Sequence, residues 1–423
     1  MFWEWGWTTV KGVVTKQNRV PSQPQPLMKH TPRDVVMQFA HVLQQELFPR
    51  LETFLGPLSP QLQLLTSVVS LIPLGRLLTA RRASRGRPAK DRAALVTAFL
   101  AKAILNLPTT RDLIGRLRVD ESLRKICGWR SIHALPHESK FSRAFAEFAA
   151  TQLPQQLHEA VIQATQRERL VGHIARDSTA IPARERFPEP LPGQKKEKQR
   201  KARRSQAQPS QAKRPKGAHR RAKAADRGTR IQRQRHQKLE RMIAELPQQC
   251  DIGVKTNSQG QEQYWRGYKL HLDVADGQVP ISAVLTSASV PDSQVAIPRM
   301  TITSQRVVHL YELMDSAYDA NEIHAHSREL NHVPIIAPHP RRGTKKPSQL
   351  PKVFPVEPTP QLDWAQQERY KERTMSERVN ARLKDEFGAN HLRVRGAAKV
   401  MAHLMFGVLA LAVDQWLRFA TSG

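Results

Sequence analysis

The sequence predicts an α/β protein in which a helical N-terminal part precedes a mixed five-stranded sheet flanked by helices. Apolar residues recur with the helical period between residues 33 and 150, and alternating or β-rich apolar segments begin near residue 170. From there the predicted order of elements is β-β-β-α-β-α-β-α. Strands that alternate with helices in this way are typical of a sheet covered by helices.

The N-terminal part divides into two predicted pieces. Residues 1–85 comprise an extension, a Pro-rich linker and a helical segment interrupted by prolines. Residues 86–150 form a compact set of short helices, and the last helix carries Lys140 and Arg143. Short helices with short turns fit a helix-turn-helix-like DNA-binding domain in which these two cations contact DNA. They fit a plain helical bundle with an exposed basic face equally well.

The predicted sheet belongs to a domain spanning residues 165–420. Its first strand ends near Asp177. Residues 263–275 alternate between apolar and polar and lead through Asp276-Gly277 into a hairpin partner. The fourth strand ends at Asp315, and a helix and a short fifth strand follow it.

The apolar stretch 400–413 is shorter than the roughly 20 residues that a membrane span needs, so it predicts a buried core helix. Cys127 and Cys250 form neither a CxxC pair nor a disulfide framework. These features indicate a reducing compartment and no membrane partner.

The chain is strongly basic, with 67 Lys and Arg against 37 Asp and Glu and a formal charge of +30. Between Lys195 and Lys238 we count 18 basic residues and two acids. We predict a disordered basic insert at about 184–250 that acts as an electrostatic clamp on phosphates. The plainer alternative is a solvated charge run without a partner.

Residues 370–388 predict a helix with two distinct sides. Four polar residues at steps of three, four and seven share one stripe about 60° wide: Tyr370, Arg373, Glu377 and Lys384. The opposite side repeats apolar residues at i, i+4: Met375, Val379 and Leu383. A lone acid flanked by cations therefore points away from the core.

In a five-stranded sheet of this order, the first and fourth strands are neighbours. Asp177 and Asp315 would then stand side by side, with Glu377 across from them. Converging carboxylates repel one another but suit Mg²⁺, which prefers oxygen ligands. Each acid also has an ordinary alternative. Asp177 and Asp315 could cap turns, and Glu377 could pair with Arg373 or Arg378 on the helix surface.

These features resemble the DDE transposases of bacterial insertion sequences. The helix at 370–388 carries the family's Tyr-x2-Arg-x3-Glu-x6-Lys signature, and "RDST", "GYKLHLDVADGQVPISAVLTSASVPDSQVA" and "MDSAYDA" resemble its other blocks. "GRPAKDRAALVTAFLAKAILNLPTTRDLIGRL" and "PHESKFSRAF" resemble its N-terminal helical domain. The resemblance covers roughly residues 86–183 and 250–415. Family members often have a histidine before the acid at Asp292, where this chain has Pro291, so we assign Asp292 no catalytic role.

The resemblance implies an RNase H-like catalytic domain and a set of site residues. Three carboxylates would be the catalytic metal ligands: Asp177, Asp315 and Glu377. Three further side chains would contact DNA near the cleaved end: Tyr370, Arg373 and Lys384. The expected cofactor is Mg²⁺, with Mn²⁺ as its substitute, bound as two ions ~3.5–4 Å apart that activate a water or a 3′-hydroxyl.

The resemblance also implies partners and a location. The partners would be double-stranded DNA of two kinds, the terminal inverted repeats of the transposon and the target. Pairing two ends implies a homodimer in the DNA complex, located in the bacterial cytoplasm at the nucleoid. The alternative function is a catalytically inactive or cut-only DNA-binding derivative of such an enzyme.

Overall fold

The computed structural model describes residues 32–78, 91–185, 228–256, 261–338 and 362–421. Helices fill the N-terminal part: α1 (Pro32–Val42), α2 (Phe48–Leu55), α3 (Pro60–Leu71), α4 (Leu74–Leu77), α5 (Arg92–Ile104), α6 (Thr110–Val119), α7 (Glu121–Ile126), α8 (Glu138–Ala150) and α9 (Leu153–Gln166). The predicted interruptions are confirmed, because Pro60 begins α3 and Pro73 separates α3 from α4. Proline suits the first helical position because no intrahelical bond is lost there.

The described residues then form a sheet of six strands: β1 (Leu170–Pro182), β2 (Asp251–Thr256), β3 (Glu262–Ala275), β4 (Val279–Ser287), β5 (Val308–Met314) and β6 (Val333–Ile336). Their order is β2-β3-β1-β5-β6, and β4 pairs with β3 beside β2. The β1–β5 and β5–β6 pairs are parallel, whereas β3 is antiparallel to β1, β2 and β4. The five predicted strands are confirmed in a mixed sheet, and β2 is an additional strand.

Seven helices in the described ranges lie within or after the sheet: α10 (Arg230–Gln234), α11 (Leu239–Ala244), α12 (Ser293–Arg306), α13 (Asn321–Glu329), α14 (Trp364–Tyr370), α15 (Thr374–Asp385) and α16 (Ala397–Thr421). α12 covers one face of the sheet, and α15 packs against β1 and β3. This is the RNase H-like α/β architecture that the sequence predicted.

The second part of the predicted disordered insert is ordered. Residues 228–250 contain α10 and α11, and α10 packs against α12 and α13. Arg230 Nη1 donates to Gln294 Oε1 at 2.6 Å, and Met242 is buried. The basic composition did not predict these contacts, because a few apolar residues of the short helices pack inward and Arg230 itself forms one of the contacts. Residues 186–227 of the insert lie outside the described residues.

One apolar core joins the helical part to the sheet. It runs from Leu43 of the N-terminal segment to Val413 of α16, and the rings of Phe99 and Phe406 stack across it at 5.8 Å. Within the described ranges, α16 is the one helix long and apolar enough to cross a membrane. About two-thirds of the most apolar part of this helix is buried inside the protein. The predicted core helix is thus confirmed, as a longer helix than the sequence indicated.

β1 contains a fully buried arginine. Arg176 Nε donates to Asp273 Oδ2 of β3 at 3.0 Å, and Arg176 Nη2 lies 2.9 Å from Glu312 Oε1 of β5. Arg176 and Asp273 are register partners, and all three side chains lie on the face that α12 covers. Successive side chains of a strand point to opposite faces, so Asp177 faces the other side.

We predict that Arg176→Met destabilises the fold by about 3–5 kcal/mol, because it leaves Asp273 and Glu312 buried with too little positive charge. The measurement is the free energy of unfolding in urea. Arg116→Met is the control, since it breaks the half-exposed Arg116–Asp120 pair and should cost less than about 1 kcal/mol. Equal losses for the two variants would contradict the proposed importance of the buried pairs.

Candidate active site

One acid of the predicted site, Asp177, lies within β1, and the other, Asp315, directly follows β5, the parallel neighbour of β1. The predicted end of the first strand near Asp177 is wrong, because pairing with β3 extends β1 to Pro182. Arg176 of β1 is the register partner of Met314 of β5. The two strands are parallel, so the residues that follow this pair, Asp177 and Asp315, also lie next to each other. Neighbouring strands lie about 4.8 Å apart, so the two carboxyl groups lie close together on the same face of the sheet. Asp315 also caps a short 3-10 turn, because its Oδ1 accepts the N–H of Ala317 at 2.9 Å.

The surroundings of these acids disfavour their ionised forms. Burial raises the pKa of Asp177, and the charges of Asp315 and Asp292 raise this pKa further. Burial likewise raises the pKa of Asp315, and Asp292 adds to the increase. The charge of Arg373 acts in the opposite direction on both acids. Two partly buried carboxylates that repel each other are therefore held where a cation would stabilise them.

The third acid is carried by α15, which begins after a break that the sequence did not predict. The expected continuous helix is divided into α14, a 3-10 turn over Lys371–Arg373, and α15. The apolar side of α15 is buried as predicted: Met375, Val379 and Leu383 are at most 2% exposed. Glu377 is half-exposed on the other side.

A hydrogen bond fixes α15 at the first acid. Asn380 Nδ2 donates to Asp177 Oδ2 at 3.0 Å. Residues three apart on a helix are neighbours, so Glu377 lies one turn from this contact and on the same side of α15. We call Asp177, Asp315 and Glu377 the acid cluster. Sequence reasoning missed Asn380, although at 3.6 residues per turn it lies beside the polar stripe of the signature residues.

Arg373 is the cation at the centre of the acid cluster. Arg373 Nη2 donates to Glu377 Oε1 at 2.6 Å, which is the surface pairing considered as the alternative for this acid. The same guanidinium lies 5.7 Å from the ring centre of Tyr370 and lowers the pKa values of Asp177 and Asp315. One arginine therefore interacts with all three acids.

The other two signature residues border the same site. Burial raises the pKa of Tyr370, and the negative charges of Asp315 and Glu377 raise it further. Burial lowers the pKa of Lys384, and Lys255 lowers it further while Asp177 opposes the change. Lys255 belongs to β2, the strand that the sequence did not predict. The structure thus brings Tyr370 and Lys384 to the acid cluster and adds a second lysine.

A fourth acid lies close to the acid cluster. Asp292 raises the pKa values of both Asp177 and Asp315. Its own Oδ1 accepts a hydrogen bond from Lys269 Nζ at 3.0 Å and lies 3.7 Å from Nδ1 of the buried His271. The sequence analysis gave none of these three residues a role. Asp292 is thus paired with Lys269 and lies close enough to Asp177 and Asp315 for its charge to raise both of their pKa values.

Lys140 and Arg143 lie elsewhere. Both are exposed on α8, which packs within the helical part against α16, α9, α6 and α5. Within the part of the chain that the structure describes, neither side chain shares a hydrogen bond or an ion pair with the acid cluster. They remain predicted DNA contacts at a separate surface.

A second group of metal-ligating residues is buried beneath the sheet face that α12 covers. Donor atoms of His309, Glu312 and His332 all lie within 4.8 Å of one another. Glu312 already lies 2.9 Å from Arg176 Nη2 and accepts the hydroxyl of Ser327 at 2.6 Å. A fixed positive charge beside the only carboxylate of this trio opposes a divalent ion, so the trio belongs to the buried ionic network.

Comparison with protein families agrees with this geometry. The family model of the transposase DDE domain matches residues 172–413, and that of a transposase domain (DUF772) matches residues 54–147. Comparisons with curated proteins and with solved structures found no match. The first family match covers more than half of the chain and contains the whole acid cluster. The chain therefore belongs to the DDE transposases, as a transposase of an insertion sequence.

Proposed function

We propose that the acid cluster cleaves transposon ends by metal-dependent hydrolysis of a phosphodiester bond and joins the freed 3′-hydroxyl to target DNA. Transposases of this family act on DNA and use divalent metal ions. One observation carries the proposal: Asp177 and Asp315 stand side by side, and burial together with the charges of neighbouring acids raises the pKa values of both. Neighbouring acids with raised pKa values are better suited to binding cations than to stabilising the fold.

The residues present fit Mg²⁺, with Mn²⁺ as a substitute. All three donors of the acid cluster are carboxylates, the ligand type that hard cations prefer. Two bound ions would supply Lewis-acid activation of the attacking water or 3′-hydroxyl and would stabilise the leaving oxygen. The protein's own contribution is to hold Asp177 through Asn380 and to fix Asp315 through its turn.

Arg373 changes partner in this proposal. In the structure it donates to Glu377, which therefore has one carboxylate oxygen engaged. Glu377 would be one of the residues that hold the cation, and the guanidinium of Arg373 would then be free to donate to a phosphate oxygen, for which its planar donor group is well suited. Tyr370 would contact DNA beside Arg373. Lys384, about 10 Å of helical rise beyond Glu377, would bind a phosphate further along the strand.

The proposed partners are double-stranded DNA of the terminal inverted repeats and of the target. Lys140 and Arg143 would contact this DNA from the helical part. The enzyme would act as a homodimer that pairs two ends, in the bacterial cytoplasm at the nucleoid. The alternative is an inactive or cut-only derivative. It predicts DNA binding without strand joining.

Glu377→Gln should abolish cleavage and leave DNA binding within about threefold of the wild type, because a neutral amide cannot replace a carboxylate ligand. The substrate is a labelled duplex that carries the inverted repeat of the element, with Mg²⁺ or Mn²⁺. Glu372→Gln is the matched control, since it removes the same charge from an exposed position in the adjoining turn.

Cleavage by Glu377→Gln at the wild-type rate would disprove the role of Glu377. If the wild type also binds DNA without cutting it in either metal, the inactive derivative is the correct description. If the wild type cuts without joining the strand to target DNA, the cut-only derivative is correct.

Asp177→Asn should leave the melting temperature without divalent ions unchanged or raise it. The folded pKa of Asp177 lies above its unfolded value, so the ionised carboxylate destabilises the folded protein at neutral pH. This cost disappears as the pH falls below the unfolded value of about 3.9. Addition of Mn²⁺ should then stabilise the wild type by a few degrees and the variant much less. Equal stabilisation of both proteins, measured by calorimetry, would show that Mn²⁺ binds elsewhere.

Neutralising the basic insert should flatten the salt dependence of DNA binding. Residues 195–227 contain 14 Lys and Arg against Glu197 and Asp226. We would change these 14 residues to glutamine and keep residues 228–250, whose helices pack against α12. The slope of log K against log salt should fall in magnitude by several units, at roughly 0.9 for each phosphate that the insert no longer neutralises. An unchanged slope would contradict the electrostatic clamp.

A further inference from the structure

A basic pocket lies between the helical part and the segment that follows α15. Its volume is about 460 Å³, and its walls come from α5, the start of α6, α8 and the segment 391–403. Six of its lining side chains are basic or histidine: Lys102, His391, Arg393, Arg395, Lys399 and His403. No Asp or Glu of the described residues lines it. We call it the junction pocket.

Lys102 is the unusual member of this set. It is 8% exposed, and among the described residues no carboxylate lies within ion-pair distance of it. Burial lowers its pKa to about 8, and the negative charge of Asp112 acts in the opposite direction. The Asp112 carboxylate is engaged in capping α6, where it accepts the N–H and the hydroxyl of Thr109 at 2.9 and 2.7 Å. A buried ammonium group without a counterion is costly, so this arrangement points to an anion supplied from outside.

The residues at the rim of the junction pocket also favour binding of an anion. Arg393, Arg395 and Lys399 are exposed, and within the described part of the chain no carboxylate lies within ion-pair distance of them. Thr109 and Thr110, at the N-terminus of the ten-residue α6, also line the pocket. The free N–H groups and the dipole of a helix N-terminus attract anions. Exposed cations at the rim therefore surround one buried cation in the interior.

The junction pocket is held at a fixed position relative to the acid cluster. Asn106, in the turn after α5, donates from Nδ2 to the carbonyl oxygen of Asp385 at 2.7 Å. His403 Nε2 lies 3.0 Å from the carbonyl oxygen of Gly388. α15 rises by about 12 Å between Glu377 and Asp385, so the pocket lies beyond Lys384 in the direction away from the acids.

We propose that the junction pocket binds a backbone phosphate of the same DNA whose scissile bond lies at the acid cluster. The proposal depends on the proposed function, because it assumes that DNA occupies the acid cluster. Lys384 and the pocket would contact successive phosphates along one path. Phosphate contacts of this kind set the position and register of a duplex without reading its sequence.

The test is binding of the full chain to a 30-base-pair duplex of arbitrary sequence, measured by fluorescence anisotropy over a series of salt concentrations. Arg395→Gln/Lys399→Gln should weaken binding roughly tenfold at 50 mM salt and reduce the salt slope by about two. The matched control is Arg118→Gln/Arg328→Gln. It removes the same charge from exposed positions outside the pocket and should do much less.

Lys102→Met provides a second, independent readout. The groups that face Lys102 are Asp112, His391, His403 and the three rim cations. Burial lowers the pKa of Lys102 to about 8, so this ammonium group loses its proton mainly between pH 7 and 9. Wild-type affinity should therefore fall across this interval as Lys102 loses its proton, whereas the affinity of Lys102→Met should stay flat. Identical pH profiles for the two proteins would overturn the role of Lys102.

The outcomes separate this proposal from the proposed function. If the wild type binds no DNA, the proposed function fails together with the pocket. If the wild type binds DNA and the rim double variant behaves like its control, the pocket proposal alone is wrong. A third arm uses inorganic phosphate at constant ionic strength. Thermal stabilisation of the wild type but not of the rim double variant, without a difference in DNA binding, would assign the pocket to free phosphate and overturn its assignment to DNA.

Discussion

The structure depends on a fully buried ionic network centred on Arg176. This residue bridges Asp273 of β3 and Glu312 of β5, and Arg299 of α12 pairs with Asp273 from above the sheet. Burial alone would raise the pKa values of the two acids, but the guanidinium groups hold both pKa values below their ordinary range. Each acid then contributes stability above its unfolded pKa and loses it as the pH falls through the lower folded pKa. The network therefore joins three strands and a helix at neutral pH.

The same network determines where the acid cluster can form. Arg176 and Asp177 are consecutive, so fixing the first on one face presents the second on the opposite face. Tyr318 connects the same network to Asp315, the second acid of the cluster. Its hydroxyl accepts a hydrogen bond from Arg299 Nη1 at 3.1 Å, and it ends the turn that Asp315 caps. The pairing of β1 with β5 and the buried Arg176–Glu312 ion pair therefore hold the two repelling carboxylates side by side.

Much of this architecture was predictable because it follows local patterns. The order of strands, the hairpin at Gly277 with its positive φ, and the buried side of α15 all follow from periodicity and turn chemistry. β2 and the break at Lys371–Arg373 were not predicted, since both arise from tertiary packing. The predicted alternation of residues 263–275 includes the polar residues His271 and Asp273, and both are fully buried in the structure. Alternation alone cannot reveal which helix will cover a strand.

The candidate site also shows that the type of a residue does not by itself reveal whether the residue stabilises the fold or belongs to the site. Asp177, Asp273 and Asp292 are chemically identical, and the sequence distinguishes them only through the family motif. In the structure, Asp273 has two guanidinium partners and Asp292 has a lysine, whereas Asp177 has an amide partner and acidic neighbours. Asp273, held between two guanidinium groups, stabilises the fold. Asp177 has an amide as its hydrogen-bond partner and is available to bind a cation, so the partners of an aspartate, and not its residue type, separate the scaffold from the site.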